Sequence, residues 1–239
     1  MMILDICPSP ALYPFYRQEH DTLIVVDIFR ASTTMCAMLH HGAAAIIPVA
    51  DIDQARAYKE KGFLVGAERH TRKCDFADCG NSPFDYTPER VHGREVVFTT
   101  TNGTRAIEQG KDTRELLIGS FSNIGALTRH CLHTTNRIVI LCAGWHNRIN
   151  LEDTLFGGAF AELLSAQSDV TIGSDAVRIA QLLWQRAKAD PPVFLKASDH
   201  YARLLANGAE GDAAYCLSPD TVSVVPVYHR ADKKIRAFR

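Results

Sequence analysis

Residues 23–30, Leu-Ile-Val-Val-Asp-Ile-Phe-Arg, pass from a continuous apolar stretch into a polar loop. Consecutive apolar residues of this kind are typical of a strand that is buried on both faces of a parallel sheet. A helix is predicted to follow from about Ser32 to His40, with Gly42 in the position of a C-terminal cap. The segment therefore predicts a strand–loop–helix unit whose loop contains Asp27 and Arg30.

The same alternation repeats along the chain. An Asp51–Gln54 capping box predicts the start of a helix that Gly62 ends. Strands that alternate with helices predict an α/β fold with a mostly parallel sheet and helices on both faces, a three-layer α/β/α arrangement. Further strands are predicted at 43–49, 63–65, 96–99, 116–118, 138–141 and 222–228, and further helices after 103 and at 123–130, 151–165, 174–189 and 198–206.

The composition is that of an ordinary globular protein, with 239 residues, 46% hydrophobic and 22% charged. We expect a single α/β unit over residues 1–239, which two lobes of about 1–115 and 116–239 could divide. The net charge of -1 argues against a nucleic-acid partner. No apolar run reaches the roughly 20 residues of a membrane helix. The odd number of cysteines, seven, argues against a disulfide framework, so we expect a cytoplasmic protein with no membrane partner.

Four carboxylates lie where predicted strands end or where the following helices begin: Asp27, Glu68, Glu152 and Asp153. The carboxyl ends of parallel strands meet at one edge of a sheet, which is where ligands bind. Magnesium prefers oxygen ligands and often takes only one or two protein carboxylates. All four are therefore candidate metal ligands. Asp27 and Glu68 are favoured, because Glu152 and Asp153 are adjacent near a helix start and point in different directions.

The segment 99–104, Thr-Thr-Thr-Asn-Gly-Thr, leaves a predicted strand and enters a helix. Hydroxyl groups and the N–H groups of a helix N-terminus can together hold an anion, and a glycine lets the backbone approach it. The spacing of a P-loop is absent. A threonine-rich strand end with an asparagine cap is the alternative. The candidate phosphate-binding residues here are Thr100, Thr101, Asn102, Gly103 and Thr104.

Several segments resemble, in the same order, the motifs of the 2-phosphosulfolactate phosphatase family. The short ones are weak individually, but their common order over about residues 22–160 makes the resemblance strong. It implies that family's α/β fold, Mg²⁺ as cofactor, a small anionic phosphate ester as substrate, and hydrolysis of 2-phosphosulfolactate to sulfolactate on the way to coenzyme M. The segments are residues 25–34, 66–69, 80–83, 99–104, and 142–144 followed by 151–153.

The matching segments also supply further site residues. Asn81 and Ser82 are candidate substrate-binding residues, and Arg30 and Arg69 are candidate clamps because a guanidinium can bind phosphate or sulfonate in a bidentate way. With Asp27 the two arginines form the predicted catalytic set. Two segments depart from the family's small residues: the bulky, basic residues 70–74, and Trp145 with His146 at 145–146. Both changes would reshape the pocket.

Two other functions are compatible with the sequence. Cys142 and Arg148 have the Cys-x5-Arg spacing of cysteine-dependent phosphatases, in which a thiolate attacks phosphorus. Against this, Ile149 follows the arginine where Ser or Thr is usual, and no histidine precedes the cysteine. The third hypothesis is a protein that binds an anionic metabolite without turnover. The oligomeric state is open, and a homodimer is one of the expected forms.

Overall fold

A computed structural model describes residues 2–134 and 137–238 of the chain. These residues form an 11-stranded sheet with helices on both faces. Most neighbouring strands are parallel. The predicted three-layer α/β/α fold with a mostly parallel sheet is therefore confirmed.

The strands are β1 (Met2–Cys7), β2 (Thr22–Val26), β3 (Ala45–Pro48), β4 (Leu64–Arg69), β5 (Arg72–Lys73), β6 (Glu95–Thr99), β7 (Glu115–Gly119), β8 (Arg137–Cys142), β9 (Val170–Ile172), β10 (Pro226–His229) and β11 (Lys234–Ala237). The helices are α1 (Tyr13–Tyr16), α2 (Ala31–His40), α3 (Ile52–Glu60), α4 (Pro88–Val91), α5 (Gly103–Gly110), α6 (Ile124–Thr134), α7 (Leu151–Ser165), α8 (Asp175–Ala187), α9 (Pro191–Leu195), α10 (Asp199–Ala206) and α11 (Glu210–Cys216).

The strand order is β5-β4-β6-β3-β11-β10-β7-β2-β8-β1-β9. One parallel block contains β4, β6 and β3, and a second contains β7, β2, β8, β1 and β9. The antiparallel hairpin β10–β11 lies between the blocks and pairs with β7 on one side and β3 on the other. A single sheet therefore runs through both halves of the chain, and the division into two lobes stays a prediction.

Strand β2 is central because both of its faces are covered. Leu23 and Val25 contribute to the core that contains α2, while Ile24 and Val26 contribute to the core under α6, α7 and α8. Alternate residues of a strand point to opposite faces, so a strand covered on both faces needs apolar residues at every position. This explains the unbroken apolar run of the sequence.

Helices α2 and α5 bring the two parallel blocks together at one edge of the sheet. Helix α2 contacts β2, β3, β7 and β10 and is buried from Ala31 to Leu39. Helix α5 follows β6 but packs against β2, although four strands separate β6 from β2 in the sheet order. A Cβ on Gly110 of α5 would lie 2.2 Å from Leu23 Cδ2, so the glycine permits this close packing. The C-terminal ends of β2 and β6 thereby become neighbours.

Some boundaries differ from the predictions. Strand β4 continues to Arg69 instead of ending at Val65, and the closing strand begins at Pro226, later than the predicted 222. Strand β11 is not predicted because Ile235 is its only fully buried apolar residue, between the polar Lys234 and Arg236. Strand β1 and the short β9 are further additions. Among the described residues no helix has the length and apolar character that crossing a membrane requires.

Candidate active site

A small cavity of about 10 Å³ lies where the C-terminal ends of β2, β4 and β6 meet helix α10. A cavity of this size holds about one water molecule or one monatomic ion. Phe29, Trp145 and Leu204 cover it with apolar surface. Its polar lining consists of Asp27, Arg30, Glu68, Thr71, Asn81, Asn102 and His200.

Asp27 lies directly after β2 and before α2. The Ser32 hydroxyl accepts from the Asp27 N–H at 3.1 Å and donates to the Asp27 carbonyl at 2.9 Å, which fixes the backbone of this loop. The carboxylate lies against the start of α5, where a Cβ on Gly103 would be 2.8 Å from Asp27 Oδ2 and 2.7 Å from Ala31 Cβ. Gly103 therefore allows the helix to approach Asp27.

The pKa of Asp27 is raised from 3.8 to about 6. Burial is the main cause, because it disfavours the charged carboxylate, and the negative charges of Glu68 and Glu152 raise the pKa further. His200 opposes the rise. A cation placed in the cavity would stabilise the ionised form of Asp27.

Glu68 joins the ends of β4 and β6. Its Oε1 accepts from the Thr71 N–H at 2.5 Å and from the Thr101 hydroxyl at 3.1 Å, and its Oε2 accepts from the Thr101 N–H at 3.3 Å. The side chain is buried and lines the same cavity as Asp27. Two of the four carboxylates predicted from the sequence are therefore brought together at the cavity.

Asn81 adds an oxygen that lacks a partner. Its backbone carbonyl accepts from the Thr34 hydroxyl of α2 at 2.9 Å, so the residue is anchored. Its side-chain Oδ1 is buried and has no hydrogen-bond partner within residues 2–134 and 137–238. Leaving a buried acceptor unpaired is costly, so such an atom at a cavity points to a cation or a donor group that completes it.

These oxygen atoms fit Mg²⁺. Across the described parts of the chain, no group of three or more His, Cys, Asp or Glu side chains makes a ready-formed metal cluster. Mg²⁺ does not need one, since it is commonly bound by one or two carboxylates and completes its shell with water and substrate phosphates. Asp27, Glu68 and the amide oxygen of Asn81 together provide such a donor set.

Arg30 lines the cavity and forms a buried ion pair with Asp212 of α11. Its Nη2 also donates to the Thr71 carbonyl at 3.3 Å. Ser82 donates to Asp212 Oδ1 at 2.7 Å, so this predicted substrate-binding residue orients the partner of Arg30. The guanidinium is thus held in a fixed position beside the cavity. Asp212 is a site residue that no local feature of the sequence indicates.

Arg69, the second predicted clamp, lies beside the cavity rather than in its lining. Its Nη2 donates to the Thr99 hydroxyl at 2.9 Å and its Nη1 donates to the Glu68 carbonyl at 2.6 Å. Burial lowers the pKa of Arg69. These contacts tie the end of β4 to the end of β6 and thereby position Glu68.

The threonines of the 99–104 segment have internal partners. The Thr104 hydroxyl donates to the Thr100 carbonyl at 3.0 Å, and the Thr104 N–H donates to the Thr100 hydroxyl at 3.3 Å. Thr101 is bound to Glu68. Within this segment Asn102 is the residue in the cavity lining. The segment therefore supports Glu68 and Asp27, and phosphate binding by its hydroxyl groups stays a prediction.

Glu152 and Asp153 begin α7 and lie behind the cavity. Asp153 accepts from the N–H groups of Ile28 at 2.9 Å and Gly144 at 3.1 Å, which connects the loops after β2 and β8. Burial, with Glu152 nearby, raises the pKa of Asp153. Glu152 accepts from the Asn150 side chain at 2.9 Å. The oxygens of both residues are engaged by the protein, and their role as metal ligands stays a prediction.

His200 is a further cavity residue that the sequence analysis did not single out. Its Nδ1 hydrogen-bonds Glu152 Oε1 at 2.7 Å, and the ring packs against Phe29 and Trp145. A histidine held by a buried carboxylate has a fixed ring orientation and presents its other nitrogen, Nε2. The sequence did not indicate His200, because the residue lies near the start of α10, far along the chain from the segments that resemble the family.

The geometry does not favour Cys142 as a nucleophile. The residue is fully buried, and this burial raises the pKa of its thiol well above the usual value. The loop amides that would have to hold a phosphate are occupied: Ala143 N–H donates to Val26 and Gly144 N–H donates to Asp153. Arg148 is exposed. Cys142 therefore acts as a packing residue at the end of β8.

A larger cavity, of about 780 Å³, lies elsewhere, between residues 42–44 and the hairpin β10–β11. Glu115 is the only acidic residue in its lining, and none of the predicted site residues contributes to it. Volume alone therefore does not identify the functional site, whereas the convergence of strand ends does.

Known proteins are similar to this chain over most of its length. Residues 7–231 match the model of a family described as 2-phosphosulpholactate phosphatase. Relatives each called a probable 2-phosphosulfolactate phosphatase include those of Thermotoga petrophila (34% identity, 87% of this chain and 89% of the relative), a Synechococcus species (36%, 86% and 88%) and Clostridium tetani (31%, 95% and 97%). Because the match extends over nearly the whole of each chain, this protein belongs to the 2-phosphosulfolactate phosphatase family.

Proposed function

We propose that the protein is a magnesium-dependent phosphatase that hydrolyses a small anionic phosphate ester, and that 2-phosphosulfolactate is its substrate. The observation that supports this most strongly is the ion-sized cavity in which Asp27, Glu68 and the unpartnered Asn81 Oδ1 meet beside Arg30. The names of the relatives support the choice of ester.

Asp27, Glu68 and Asn81 would hold the metal, and water and substrate would complete its shell. When bound, Mg²⁺ neutralises charge on the phosphoryl group and makes a bound water more acidic. Asp27 would be ionised in the loaded protein, because a nearby cation opposes the effect of burial on its pKa. Gly103 and Thr101 keep the two carboxylates in place.

Arg30 would bind the phosphoryl oxygens. Its contacts with Asp212 and Thr71 use one N–H of Nη1 and one of Nη2, so a five-donor guanidinium next to the cavity keeps further N–H groups for a ligand. Phosphoryl transfer depends on positioning and on charge stabilisation. A guanidinium that is already fixed stabilises the charge of the transition state without having to reorganise.

His200 would supply a proton to the leaving alcohol. In the hydrolysis a water oxygen bonds to phosphorus and the ester P–O bond breaks. One proton of the water stays on the released phosphate, the departing alkoxide takes a proton from His200, and the second proton of the water returns to His200 through solvent. The Nδ1 of His200 is engaged by Glu152, so Nε2 is the ring nitrogen available to the cavity. General-acid catalysis of this kind typically contributes about 10²–10⁴-fold.

The decisive assay follows phosphate release from 2-phosphosulfolactate by the purified protein. The proposal expects multiple turnovers with Mg²⁺, loss of turnover with EDTA, and recovery when Mg²⁺ is restored. Inactivation by thiol alkylation with indifference to EDTA would favour the Cys142 mechanism instead. Saturable binding of the ester without phosphate release would favour a metabolite-binding protein. A cytoplasmic location and a homodimer stay predictions.

A further inference from the structure

A second pocket adjoins the cavity. Its volume is about 310 Å³, and it shares Trp145 and His200 with the cavity. The volume is close to the lower end of the range for small-molecule sites. We call it the Trp145 pocket, defined by Trp145, Arg148, Asn150, Ser198, His200 and Arg203. The cavity of about 10 Å³ has room for an ion or a water, so the remainder of a bound ester needs space of this kind.

A tight hairpin turn at residues 145–148 fixes one wall. Trp145 and Arg148 exchange backbone hydrogen bonds at 3.0 and 2.9 Å, and His146 and Asn147 between them have φ values of 49° and 61°. Both central residues of a type I′ turn have positive φ. A Cβ on the preceding Gly144 would lie 2.3 Å from the Arg148 carbonyl oxygen, so the turn requires a glycine there.

The opposite wall is the first turn of α10, which is anchored beneath the pocket. The Ser198 hydroxyl donates to Glu152 Oε2 at 3.1 Å, next to the bond between His200 and Glu152 Oε1. Ser198 also caps the helix by accepting from the N–H of His200 at 3.2 Å. The two walls are therefore positioned by hydrogen bonds before any ligand arrives.

The pocket is basic. The Arg203 guanidinium lies over the Trp145 ring, 4.2 Å from its centroid, and its Nε is buried without a hydrogen-bond partner among the residues described. Arg148 adds a second guanidinium, and Asp199 is the only acidic residue of the lining. Stacking on an indole holds a guanidinium in a fixed plane while its N–H edge stays free for an oxyanion.

Asn150 provides an independent indication of a ligand. The residue is 8% exposed, and its Nδ2 is committed to Glu152 and Asp153, both at 2.9 Å. Its Oδ1 is buried and has no partner in the described structure. The pocket lining thus contains both an unpaired acceptor, Asn150 Oδ1, and an unpaired donor, Arg203 Nε, which a polar ligand and a water trapped with it would satisfy.

We propose that the Trp145 pocket binds a second oxyanion of the substrate, a carboxylate or a sulfonate, while the phosphoryl group lies beside Arg30, next to the ion held in the cavity. Arg203 and Arg148 neutralise this oxyanion, and Trp145 orients Arg203. The pocket would then select phosphate esters that have a second anionic group. This inference rests on the proposed phosphatase function and adds a specificity-determining site to it.

The kinetic test compares three esters of similar size. Phosphoglycolate has a carboxylate, 2-sulfoethyl phosphate has a sulfonate, and 2-hydroxyethyl phosphate has an uncharged hydroxyl group in the same place. Replacing Arg203 with Gln should raise KM for the first two about 10- to 100-fold, because a charged hydrogen-bond partner is lost, and should leave the third within about twofold. Arg203→Lys should restore part of the loss. The control is Arg178→Gln on α8, whose side chain is largely exposed and outside the pocket.

An equal loss of kcat/KM for all three esters would overturn the proposal, because Arg203 would then act on the reacting end or on the fold. A loss for only the carboxylate or only the sulfonate ester would identify which oxyanion the pocket takes. Arg148→Gln provides a second variant and should shift KM in the same direction.

A binding test does not depend on turnover. The chain has two tryptophans, so Trp184→Phe leaves Trp145 as the only tryptophan emitter. Titration of sulfoacetate should change Trp145 fluorescence saturably, and the change should vanish when Arg203→Gln is added. No saturable change up to about 50 mM, where even a site with a Kd of about 1 mM would be filled, would overturn the proposal. If no ester released phosphate while sulfoacetate still bound, the phosphatase proposal would be wrong, but the Trp145 pocket would still be an oxyanion-binding site.

Discussion

Arg30 and Asp212 form a buried ion pair between residues that are 182 positions apart in the sequence. The pair places α11 next to the loop after β2, and Ser82 holds the second oxygen of Asp212 at 2.7 Å. A buried charge without its partner is strongly unfavourable. The orientation of the proposed phosphate-binding guanidinium therefore depends on the C-terminal part of the chain.

Replacing Asp212 with Ala should leave Arg30 buried and unpaired. We expect the free energy of unfolding to fall by about 3–5 kcal/mol, with a large loss of phosphate release. The double variant Arg30→Met with Asp212→Leu should recover much of the stability and none of the activity. Urea denaturation and a phosphate-release assay measure the two effects. If Asp212→Ala had the same free energy of unfolding as the wild type, the ion pair would not be what positions Arg30.

Gly103→Ala should impair the site more than the fold. The new Cβ would lie within 2.8 Å of both Asp27 Oδ2 and Ala31 Cβ, so the carboxylate has to move. We expect at least about a tenfold fall in kcat/KM, since small displacements in a preorganised site are costly. Gly62→Ala is the control: it has a φ of +83° and no neighbour within 4 Å, and should cost stability alone. Similar kinetics for the two variants would contradict the role of Gly103.

Asp27 should destabilise the metal-free protein at neutral pH. Its pKa is about 6 in the folded protein and 3.8 ordinarily, so between these values the folded state binds more protons than the unfolded chain. The contribution of Asp27 to the free energy of unfolding therefore falls as pH rises from about 4 to 6, and it stays low above pH 6. In EDTA, Asp27→Asn should be more stable than wild type at about pH 8, by about 1–3 kcal/mol, with a smaller difference at about pH 5. Urea denaturation measures this. A variant less stable than wild type at both pH values would argue against the burial of a charged carboxylate.

Cys142 should resist alkylation in the native protein. Burial raises the pKa of its thiol, so near neutral pH it is neither accessible nor ionised. Mass spectrometry after iodoacetamide treatment should find Cys74, which is partly exposed, modified first. Cys142→Ala should keep turnover within about threefold, because only packing is changed. Inactivation that parallels modification of Cys142 would overturn the packing assignment.

The sequence was sufficient for the part of the site that lies at strand ends. Asp27 and Glu68 follow apolar runs, and parallel strands necessarily bring such positions to one edge. Asn81 was found only through its resemblance to a family motif. The sequence could not show that Arg69 turns back onto Thr99, because side-chain direction depends on which strands are neighbours. Strand β11 was missed because Ile235 is its only fully buried apolar residue, between Lys234 and Arg236.

The C-terminal contributions could not be predicted. His200 and Asp212 lie in short helices whose local sequence resembles any exposed amphipathic segment. Their functions follow from contacts with Glu152 and Arg30, which are distant in the chain. Such contacts are set by tertiary packing, and a single sequence contains no periodic or spacing signal for them.

Calorimetric titration of Mg²⁺ into the metal-free protein tests whether Asp27, Glu68 and Asn81 form a metal site. We expect saturable binding at one site per chain in the wild type. We also expect loss of most of this affinity in Asp27→Asn and in Glu68→Gln, and a weaker affinity in Asn81→Ala, with circular dichroism confirming that each variant is folded. Arg178→Gln, outside the cavity, should bind as the wild type does. Unchanged Mg²⁺ affinity in folded Asp27→Asn and Glu68→Gln would contradict the proposed metal site.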